Sequence, residues 1–216
     1  MQSPALIDPA QIPMAPARAL PARARAESRL RLLTRSSPGR EEAERFIADR
    51  YRREYDASLT HFLPTLVALP APGGSLLAAA GIARASGGPL FLERYLDAPV
   101  ERVIARRLDT PADRAAILEV GNLASASPGG GRAMIAALVR LLEGHGIEWI
   151  TFTATRTLRN SLARLGIVAH ELAVAERTTL GAAAAAWGRY YDHDPRVVSC
   201  SLQAAWVLLY GAGGVA

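Results

Sequence analysis

One stretch of the sequence constrains the fold more than any other, because it joins a buried strand to a helix through a run of glycines. Residues 119–142 read EVGNLASASPGGGRAMIAALVRLL. The segment AAILEVGNLA is apolar apart from Glu119 and Asn122, which predicts a strand. From Arg132 to about Gly144 the apolar residues recur with a helical period. Glycines let a backbone approach a ligand closely, and the amides of a helix N-terminus bind anions. The stretch therefore predicts a strand-loop-helix unit that can hold a phosphate group.

Several kinds of site use such a loop, and two of them are excluded by single residues. A dinucleotide-binding fingerprint requires a third glycine three positions after the second, where this chain has Met134. A Walker A loop requires a lysine, and the chain contains none. A thioester co-substrate held through its phosphates and a connector that binds nothing both stay open at this point.

The excess of basic residues raises the question of whether the protein binds nucleic acid. The formal net charge is +5 and the isoelectric point is about 10, with arginine as the only basic residue besides histidine. Such a charge can indicate nucleic-acid binding, but uniform arginine use is typical of a GC-rich coding bias. Aromatic residues do not alternate with arginine in any window that would form a stacking platform. We therefore expect no nucleic-acid partner, and the missing lysine excludes Schiff-base and serine-lysine chemistry.

The two ends of the chain differ from its middle. Residues 1–35 are rich in Pro, Ala and Arg and contain no Sec-type signal, which predicts a disordered arm. Residues 203–216 form an apolar tail, too short to cross a bilayer alone because a span needs about 20 residues. Residues 36–202 are expected to form one domain. A single cysteine, Cys200, allows no intrachain disulfide. We expect a cytoplasmic protein, with peripheral membrane contact through the tail as an alternative.

The middle of the chain alternates helices with strands. Ser37-Pro38 is a good helix start, and apolar residues follow it at three- and four-residue spacing. Residues 71–74, APGG, predict a hairpin turn. The expected strands are 59–69, 75–85, PLFLERYLD at 89–97, AAILEVGNLA, 148–155, 167–173 and 196–202. Further helices are expected at 99–108, at 132–144, in TLRNSLARLG and in the alanine-rich segment after residue 173.

This order of elements is typical of the acetyltransferase-like (GNAT-like) fold, an α/β (α+β) architecture. In that fold helices flank a mixed sheet that splays open after its fourth strand. The loop after strand four cradles the pyrophosphate of an acyl-carrying pantetheine from a helix N-terminus. On this interpretation the phosphate-binding residues are Gly129, Gly130, Gly131 and Arg132.

Several separated motifs resemble the thermostable hemolysin family of bacterial proteins over about residues 40–202. They are LFLERYLDAPVE, ILEVGNLAS, the Gly-Gly-Gly-Arg loop, WITFTATRTLRNSLARLGI and WGRYYDHDPRVV. The fold of this family is similar to the N-acetyltransferases and the acyl-homoserine lactone synthases, which take acyl groups from coenzyme A or acyl carrier protein. The resemblance implies an acyl-transfer site with acyl-CoA or acyl carrier protein as the co-substrate.

Acyl transfer to an amine needs a base and stabilisation of an oxyanion. Glu119 lies in an otherwise apolar strand, where burial raises a carboxyl pKa, so it is the expected base. An ion pair between Glu119 and an arginine is the competing interpretation. The position resembles the strand-four glutamate of acyl-homoserine lactone synthases, whose following Arg is replaced here by Asn122. For the oxyanion we expect backbone amides between Leu123 and Ser125.

Two further segments carry polar candidates. LRNSLARLGI resembles the acetyltransferase stretch that places an Asn near the pantetheine arm, which implies this position for Asn160. The tyrosine that often follows as an acid is absent up to Gly166. In YYDHD, Tyr191 or His193 could contact an acceptor and replace that acid. A turn with the tyrosines packed as core is an alternative. Metal ligation is another, but adjacent residues seldom converge on one ion, and we expect no metal.

Two functions from different classes follow. The first is an acyltransferase that moves an acyl group from acyl-CoA or acyl carrier protein to a small amine-type acceptor. The second is a membrane-active protein without catalysis, whose apolar tail and Arg-rich arm contact anionic lipid. The lack of a Gly-x-Ser-x-Gly motif removes the usual lipase signature. The missing export signal favours the enzyme.

Overall fold

The computed structural model describes residues 30–211, in which seven strands form one sheet. The strand order is β1-β2-β3-β4-β5-β7-β6. Neighbouring strands are antiparallel except β4 and β5, which are parallel. The strands are β1 Arg31–Leu33, β2 Thr65–Pro70, β3 Leu76–Arg84, β4 Ile117–Ser125, β5 Trp149–Ala154, β6 His170–Val174 and β7 Arg196–Ser201. The parallel pair requires a crossover, which a helix supplies.

In the described part of the chain, five α-helices flank this sheet: α1 Arg40–Tyr55, α2 Val100–Leu108, α3 Pro128–Leu142, α4 Arg156–Arg164 and α5 Leu202–Tyr210. Two of them begin at a capping side chain. The hydroxyl of Thr155 accepts a hydrogen bond from the Leu158 amide at the start of α4. Ser201 caps α5 in the same way. Each cap satisfies one of the amides that a first turn leaves without a partner.

The sheet has a hydrophobic core on each face, and β4 contributes to both. Leu118 and Val120 lie in the core that contains residues of α3 and α5. Ile117 lies in the core formed with α2. Because side chains alternate along a strand, Glu119 faces the same side as Ile117. Its carboxyl group is therefore buried on the α1 and α2 side of the sheet.

The predicted fold class, a GNAT-like mixed and splayed sheet with flanking helices, is confirmed. The hairpin at 71–74 is also present, since the Gly74 amide donates to the Ala71 carbonyl between β2 and β3. The segment 89–97 was predicted to be a strand, and this was wrong. It contains the 3-10 helix Phe91–Tyr95. The carboxylate of Glu93 accepts the Leu90 amide at 2.8 Å, which closes a turn that an extended segment cannot form.

Other boundaries moved as well. Helix α3 begins at Pro128 and thus includes the three glycines instead of following them. A proline fits the first turn of this helix, because its missing N–H leaves no hydrogen bond unmade there.

The alanine-rich segment was predicted to be helical, and it is an irregular 3-10 stretch, Arg177–Trp187, interrupted at Gly181. Gly181 adopts φ 53, which a regular helix does not contain.

The two ends of the described chain lie on the sheet. Strand β1 pairs with β2 within the range predicted for the disordered arm, whose residues 1–29 lie outside the described residues. Helix α5 occupies most of the segment predicted as an apolar tail. Leu202 and Ala205 are buried in the core with α3, and the Tyr210 hydroxyl donates to the Ala136 carbonyl at 2.8 Å. The apolar composition of residues 202–210 is therefore explained in part by core packing. Residues 212–216 are not described.

Candidate active site

The sheet divides between β4 and β5. These strands pair with each other from Ile117–Trp149 to Glu119–Thr151. Beyond that point both strands continue, but they no longer pair with each other. The register on the far side of β5 runs unbroken to Ala154, so β5 follows β7 away from β4. The gap opens directly after Glu119. This places the predicted base at the point where the two strands separate.

A β-bulge in β4 holds the edge of the gap. The register with β3 shifts between Ala79 and Gly81, and Asn122 adopts a left-handed conformation with φ 51. The Asn122 side chain accepts the Leu63 amide at 3.0 Å and donates to the His61 carbonyl at 3.3 Å. Both ends of this amide are therefore occupied by the loop before β2. Asn122 lies in the predicted site, where it positions a loop and a bulge.

The backbone amides predicted for oxyanion contacts belong to the stretch of β4 that borders the gap. The Ala126 amide donates to the Leu77 carbonyl on β3 at 2.8 Å. Because amides alternate between the two edges of a strand, those of Ser125 and Leu123 point to the opposite edge, toward the gap. There the Ser125 carbonyl accepts a hydrogen bond from Arg50 of α1 at 2.6 Å.

The glycines at the start of α3 serve different purposes. A Cβ on Gly130 would lie 2.9 Å from the Leu77 carbonyl oxygen, so this glycine lets α3 approach β3. A Cβ on Gly129 would meet nothing within 4 Å. Gly131 and Arg132 line the cavity described next, and Gly129 and Gly130 do not. The run is thus partly a packing feature and partly a wall of the cavity.

A large cavity of about 410 Å³ occupies the gap. On one side it is lined by Tyr51, Glu54 and Tyr55 of α1. Its interior lies between β5 and the helices of the opposite face. The apolar lining there includes Ile135, Leu138, Val139, Phe152, Leu158, Leu162, Ile167 and Ala205, with Cys200 beside them. The cavity therefore crosses the sheet and ends in an apolar chamber.

Helix α4 lines this cavity with one face, and that face does not include Asn160. The lining residues of α4 are Thr157, Leu158, Ser161, Leu162 and Arg164, whereas Asn160 is exposed. The structure therefore does not bring Asn160 to the cavity. Arg164 and Arg132 line it, and neither forms an ion pair with another described residue.

Glu119 is buried, and no arginine within residues 30–211 forms the ion pair that was the competing prediction. Its carboxylate accepts the amides of Phe91 at 2.8 Å and Leu92 at 3.1 Å. Burial raises its pKa to about 7, and these two hydrogen bonds oppose the rise. A carboxyl group with this pKa exchanges protons readily near neutral pH.

A charged network fixes the 3-10 helix that presents these two amides. Arg114 contacts Glu93 at 2.7 Å and Glu101 at 2.7 Å. Glu93 also accepts the amides of Leu90 and Val100. Partial burial opposes ionisation of Glu93, but the bond from Arg114 and these amides lower its pKa. Glu93 stays charged, and the amides of Phe91 and Leu92 stay directed at Glu119.

A second, small cavity of about 40 Å³ lies against Glu119, and we call it the aromatic pocket. It shares Tyr51, Val120, Gly121, Asn122, Thr153 and Tyr190 with the large cavity. Its other lining residues are His61, Leu63, Phe91, Tyr95, Glu119 and Trp187. The two cavities therefore share a wall at the separating strands.

Tyr191, predicted as a catalytic residue, reaches this region indirectly. Its hydroxyl lies 2.7 Å from that of Tyr95, which lines the aromatic pocket, while Tyr191 lines neither cavity. Burial and this hydrogen bond raise the pKa of Tyr95. His193 contacts the ring of Tyr55 edge-on at 5.0 Å between centroids. The packing of these aromatic residues follows the predicted core alternative.

Asp194 forms ion pairs with three arginines. Its carboxylate lies 2.7 Å from Arg159, 2.7 Å from Arg196 and 3.6 Å from Arg156. Hydrogen bonds from Arg196 and Arg159 lower its pKa. Arg156 and Arg159 of α4 therefore both contact the Asp194 carboxylate. Within residues 30–211, no group of three or more His, Cys, Asp or Glu side chains is arranged to hold a metal ion.

Sequence reasoning missed most of the aromatic lining. Tyr51 falls in the helix predicted after Pro38, and Tyr190 in the segment whose tyrosines were expected as core. Phe91 and Tyr95 fall in the predicted strand 89–97, and His61 in the predicted strand 59–69, of which only 65–69 is extended. These residues come from four separate segments, so no spacing in the sequence relates them. The available signal was Glu93 three residues after Leu90, the spacing by which a side chain closes a helical first turn.

Comparison with solved structures gives similar folds at low sequence identity. The AHL synthase LasI has a TM-score of 0.56 at 12% identity, with 88% of this chain and 98% of that chain covered. A CoA-dependent acyl-homoserine lactone synthase, BjaI, bound to SAM and isopentyl-CoA, has a TM-score of 0.55 at 12% identity, covering 88% and 91%. FeeM, an N-acyl amino acid synthase from uncultured soil microbes, has a TM-score of 0.53 at 14% identity, covering 81% and 89%.

Among curated proteins no sequence matches. No helix within residues 30–211 has both the length and the apolar character of a membrane span. The family model for thermostable hemolysin matches residues 33–206, which is most of the chain and includes β4, the glycine run and both cavities. The chain therefore belongs to the thermostable hemolysin family.

Proposed function

We propose that this protein is an acyltransferase that moves an acyl group from acyl-CoA or acyl carrier protein to a small amine. The observation that carries the proposal is the cavity at the separation of β4 and β5. It extends from the first turn of α3 to an apolar chamber and shares a wall with the pocket of Glu119. LasI, BjaI and FeeM, whose folds are similar, are named as synthases of acylated products.

The donor is assigned to the large cavity. Its phosphates would contact the first turn of α3, where Gly131 and Arg132 line the cavity, and Arg164 from α4. Amides and arginines together bind phosphate well because both are donors and the arginine adds charge. The acyl chain would occupy the apolar chamber that extends to Cys200 and Ala205.

The transfer step follows from the position of Glu119. The amine nitrogen attacks the thioester carbonyl carbon, the C–N bond forms, and the C–S bond breaks. The Leu123 and Ser125 amides stabilise the negative charge on the carbonyl oxygen. Glu119 takes the proton that the nitrogen loses. The leaving thiolate takes up this proton from Glu119, so that the products are an amide and a free thiol and Glu119 returns to its starting state. Tyr51 lines both cavities, and burial raises the pKa of its hydroxyl, which stays protonated and can donate a hydrogen bond to the leaving sulfur.

The membrane-active alternative rests on the apolar end of the chain. The described part of that segment, α5, packs on the core through Leu202 and Ala205. Val207 and Leu208 remain exposed on it. This core packing accounts for part of the apolar character of α5, whereas the cavity is an observation that favours the acyltransferase.

The test compares Glu119→Gln with wild type in a thiol-release assay, using acyl-CoA and acyl carrier protein thioesters of several chain lengths and primary amines. We expect Glu119→Gln to lower kcat by about 100-fold or more, with donor affinity unchanged. Glu143→Gln makes the same substitution at an exposed site and should retain full activity. The protein's own thiol gives little background, because Cys200 is buried and its pKa is raised to about 12. A Glu119→Gln protein with wild-type turnover would remove Glu119 from the mechanism.

A further inference from the structure

The aromatic pocket is enclosed mainly by rings. Six of its lining residues carry one: Tyr51, His61, Phe91, Tyr95, Trp187 and Tyr190. The rings contact each other in series. The centroids of His61 and Phe91 are 5.5 Å apart, those of Phe91 and Trp187 are 5.7 Å apart, and those of Trp187 and Tyr190 are 5.2 Å apart. Aromatic faces carry partial negative charge, so a pocket walled by rings attracts a cation.

The charge in the lining of the aromatic pocket is negative. Among the described residues that line the pocket, Glu119 is the only one with a carboxyl group, and none is an arginine. Burial and the neighbouring Arg94 and Arg35 lower the pKa of His61, which keeps that ring neutral at neutral pH. Arg94, 4.7 Å from the centre of the Phe91 ring, and Arg35 both act on His61 and therefore also oppose a cation in the pocket. Both are exposed, so solvent and salt screen their charge more than that of the buried Glu119 carboxylate. The lining therefore favours a positive guest and offers no cation to pair with a carboxylate.

The size of the pocket limits the guest to one end of a molecule. A volume of about 40 Å³ holds about three water molecules, or a chain end of similar size. The rest of the acceptor would extend along Val120 and Gly121 into the large cavity, because these residues line both spaces.

We infer that the aromatic pocket binds the ammonium end of the acceptor as a cation, between the rings and the Glu119 carboxylate. The inference rests on the proposed function, since it names the substrate class of the same site. Ionised Glu119 pairs with the ammonium group, and the rings contact the adjoining methylene groups. An acceptor whose reacting end is neutral or anionic is disfavoured.

The experiment measures binding without any acyl donor, at pH 8, by isothermal titration calorimetry and by NMR of the indole N–H signals. The probes are propylammonium, propan-1-ol and propionate, which share a carbon chain and differ in charge. We expect propylammonium to bind at least tenfold more tightly than the other two. Trp187→Leu should weaken propylammonium binding about tenfold. Trp206→Leu removes an indole that lines neither cavity and should leave the Kd unchanged.

Equal affinity for propan-1-ol and propylammonium would overturn the inference, as would an unchanged Kd in folded Trp187→Leu. Because the probe series uses wild-type protein, the inference can be refuted even if Trp187→Leu does not fold. Its failure is distinguishable from failure of the proposed function. Ammonium binding with no thioester turnover would contradict the transferase alone, whereas turnover with acceptors that bind only as neutral molecules would contradict the inference alone.

Discussion

Replacing Glu119 by Gln should change how stability depends on pH, because this carboxyl group is 3% exposed and has no basic partner among the described residues. Burial raises its pKa from 4.5 to about 7 in the folded protein. The folded state therefore holds the proton more tightly than the unfolded state. The stability that this provides is fully present below pH 4.5 and is lost as the pH rises through 7.

The magnitude follows from the two pKa values. At about 1.4 kcal/mol per pKa unit, the interval between them corresponds to about 3 kcal/mol over the whole titration. Between pH 5 and pH 8 most of this is lost, so the free energy of unfolding of wild type should fall by about 2 to 3 kcal/mol relative to the variant. The glutamine of the variant cannot ionise. It places an amide donor against the N–H of Phe91 or Leu92, at a cost that does not vary with pH.

Urea unfolding followed by circular dichroism, at half-unit steps from pH 5 to pH 8, gives the difference between the two proteins directly. Other titrating groups cancel in this difference because both proteins contain them. Glu143→Gln serves as the control and should run parallel to wild type. Parallel curves for wild type and Glu119→Gln would refute the assigned pKa of Glu119, and with it the reasoning that makes this group a base near neutral pH.

Two further predictions concern α3 and the apolar chamber. Gly130→Ala should lower the free energy of unfolding by about 1 to 2 kcal/mol, because its Cβ would lie 2.9 Å from the Leu77 carbonyl, whereas Gly129→Ala should raise it by up to about 1 kcal/mol. Urea unfolding measures both, and changes of the same sign would contradict the packing role of Gly130. Ala205→Phe should fill the end of the chamber and lower kcat/KM for a dodecanoyl thioester about tenfold or more, while a butanoyl thioester stays within about twofold. Equal losses for both donors in steady-state assays would place the acyl chain elsewhere.

The sequence predicted the fold class because periodicity and turn residues are local signals. The apolar run at 117–125, the glycines and the following helix identified the unit that opens the sheet, and Glu119 was found because an acid in an apolar strand is conspicuous. The prediction for the segment Phe91–Tyr95 was wrong, because its pattern of apolar residues fits a strand as well as a 3-10 helix. What decides it is the Glu93 carboxylate, which holds the amides of Leu90 and Val100 while it is paired with Arg114.

The candidate site was less predictable than the fold. Asn160 was placed by resemblance, but the rotation of α4 about its axis turns Ser161 and Leu158 to the cavity and leaves Asn160 exposed. The aromatic pocket combines side chains from α1, the loop before β2, the 3-10 helix Phe91–Tyr95 and the segment before β7. Such a combination depends on tertiary packing, which no spacing along the chain records.

A gap through a sheet connects two faces that a continuous sheet keeps apart. On the proposed mechanism, the thioester is held from the side of α3 while the amine sits beside Glu119, under α1. Neither partner then has to leave before the other arrives. Such an enzyme transfers the acyl group directly from thioester to amine while both are bound to it. Double-reciprocal plots of initial rate against one substrate, at several concentrations of the other, should therefore intersect instead of running parallel.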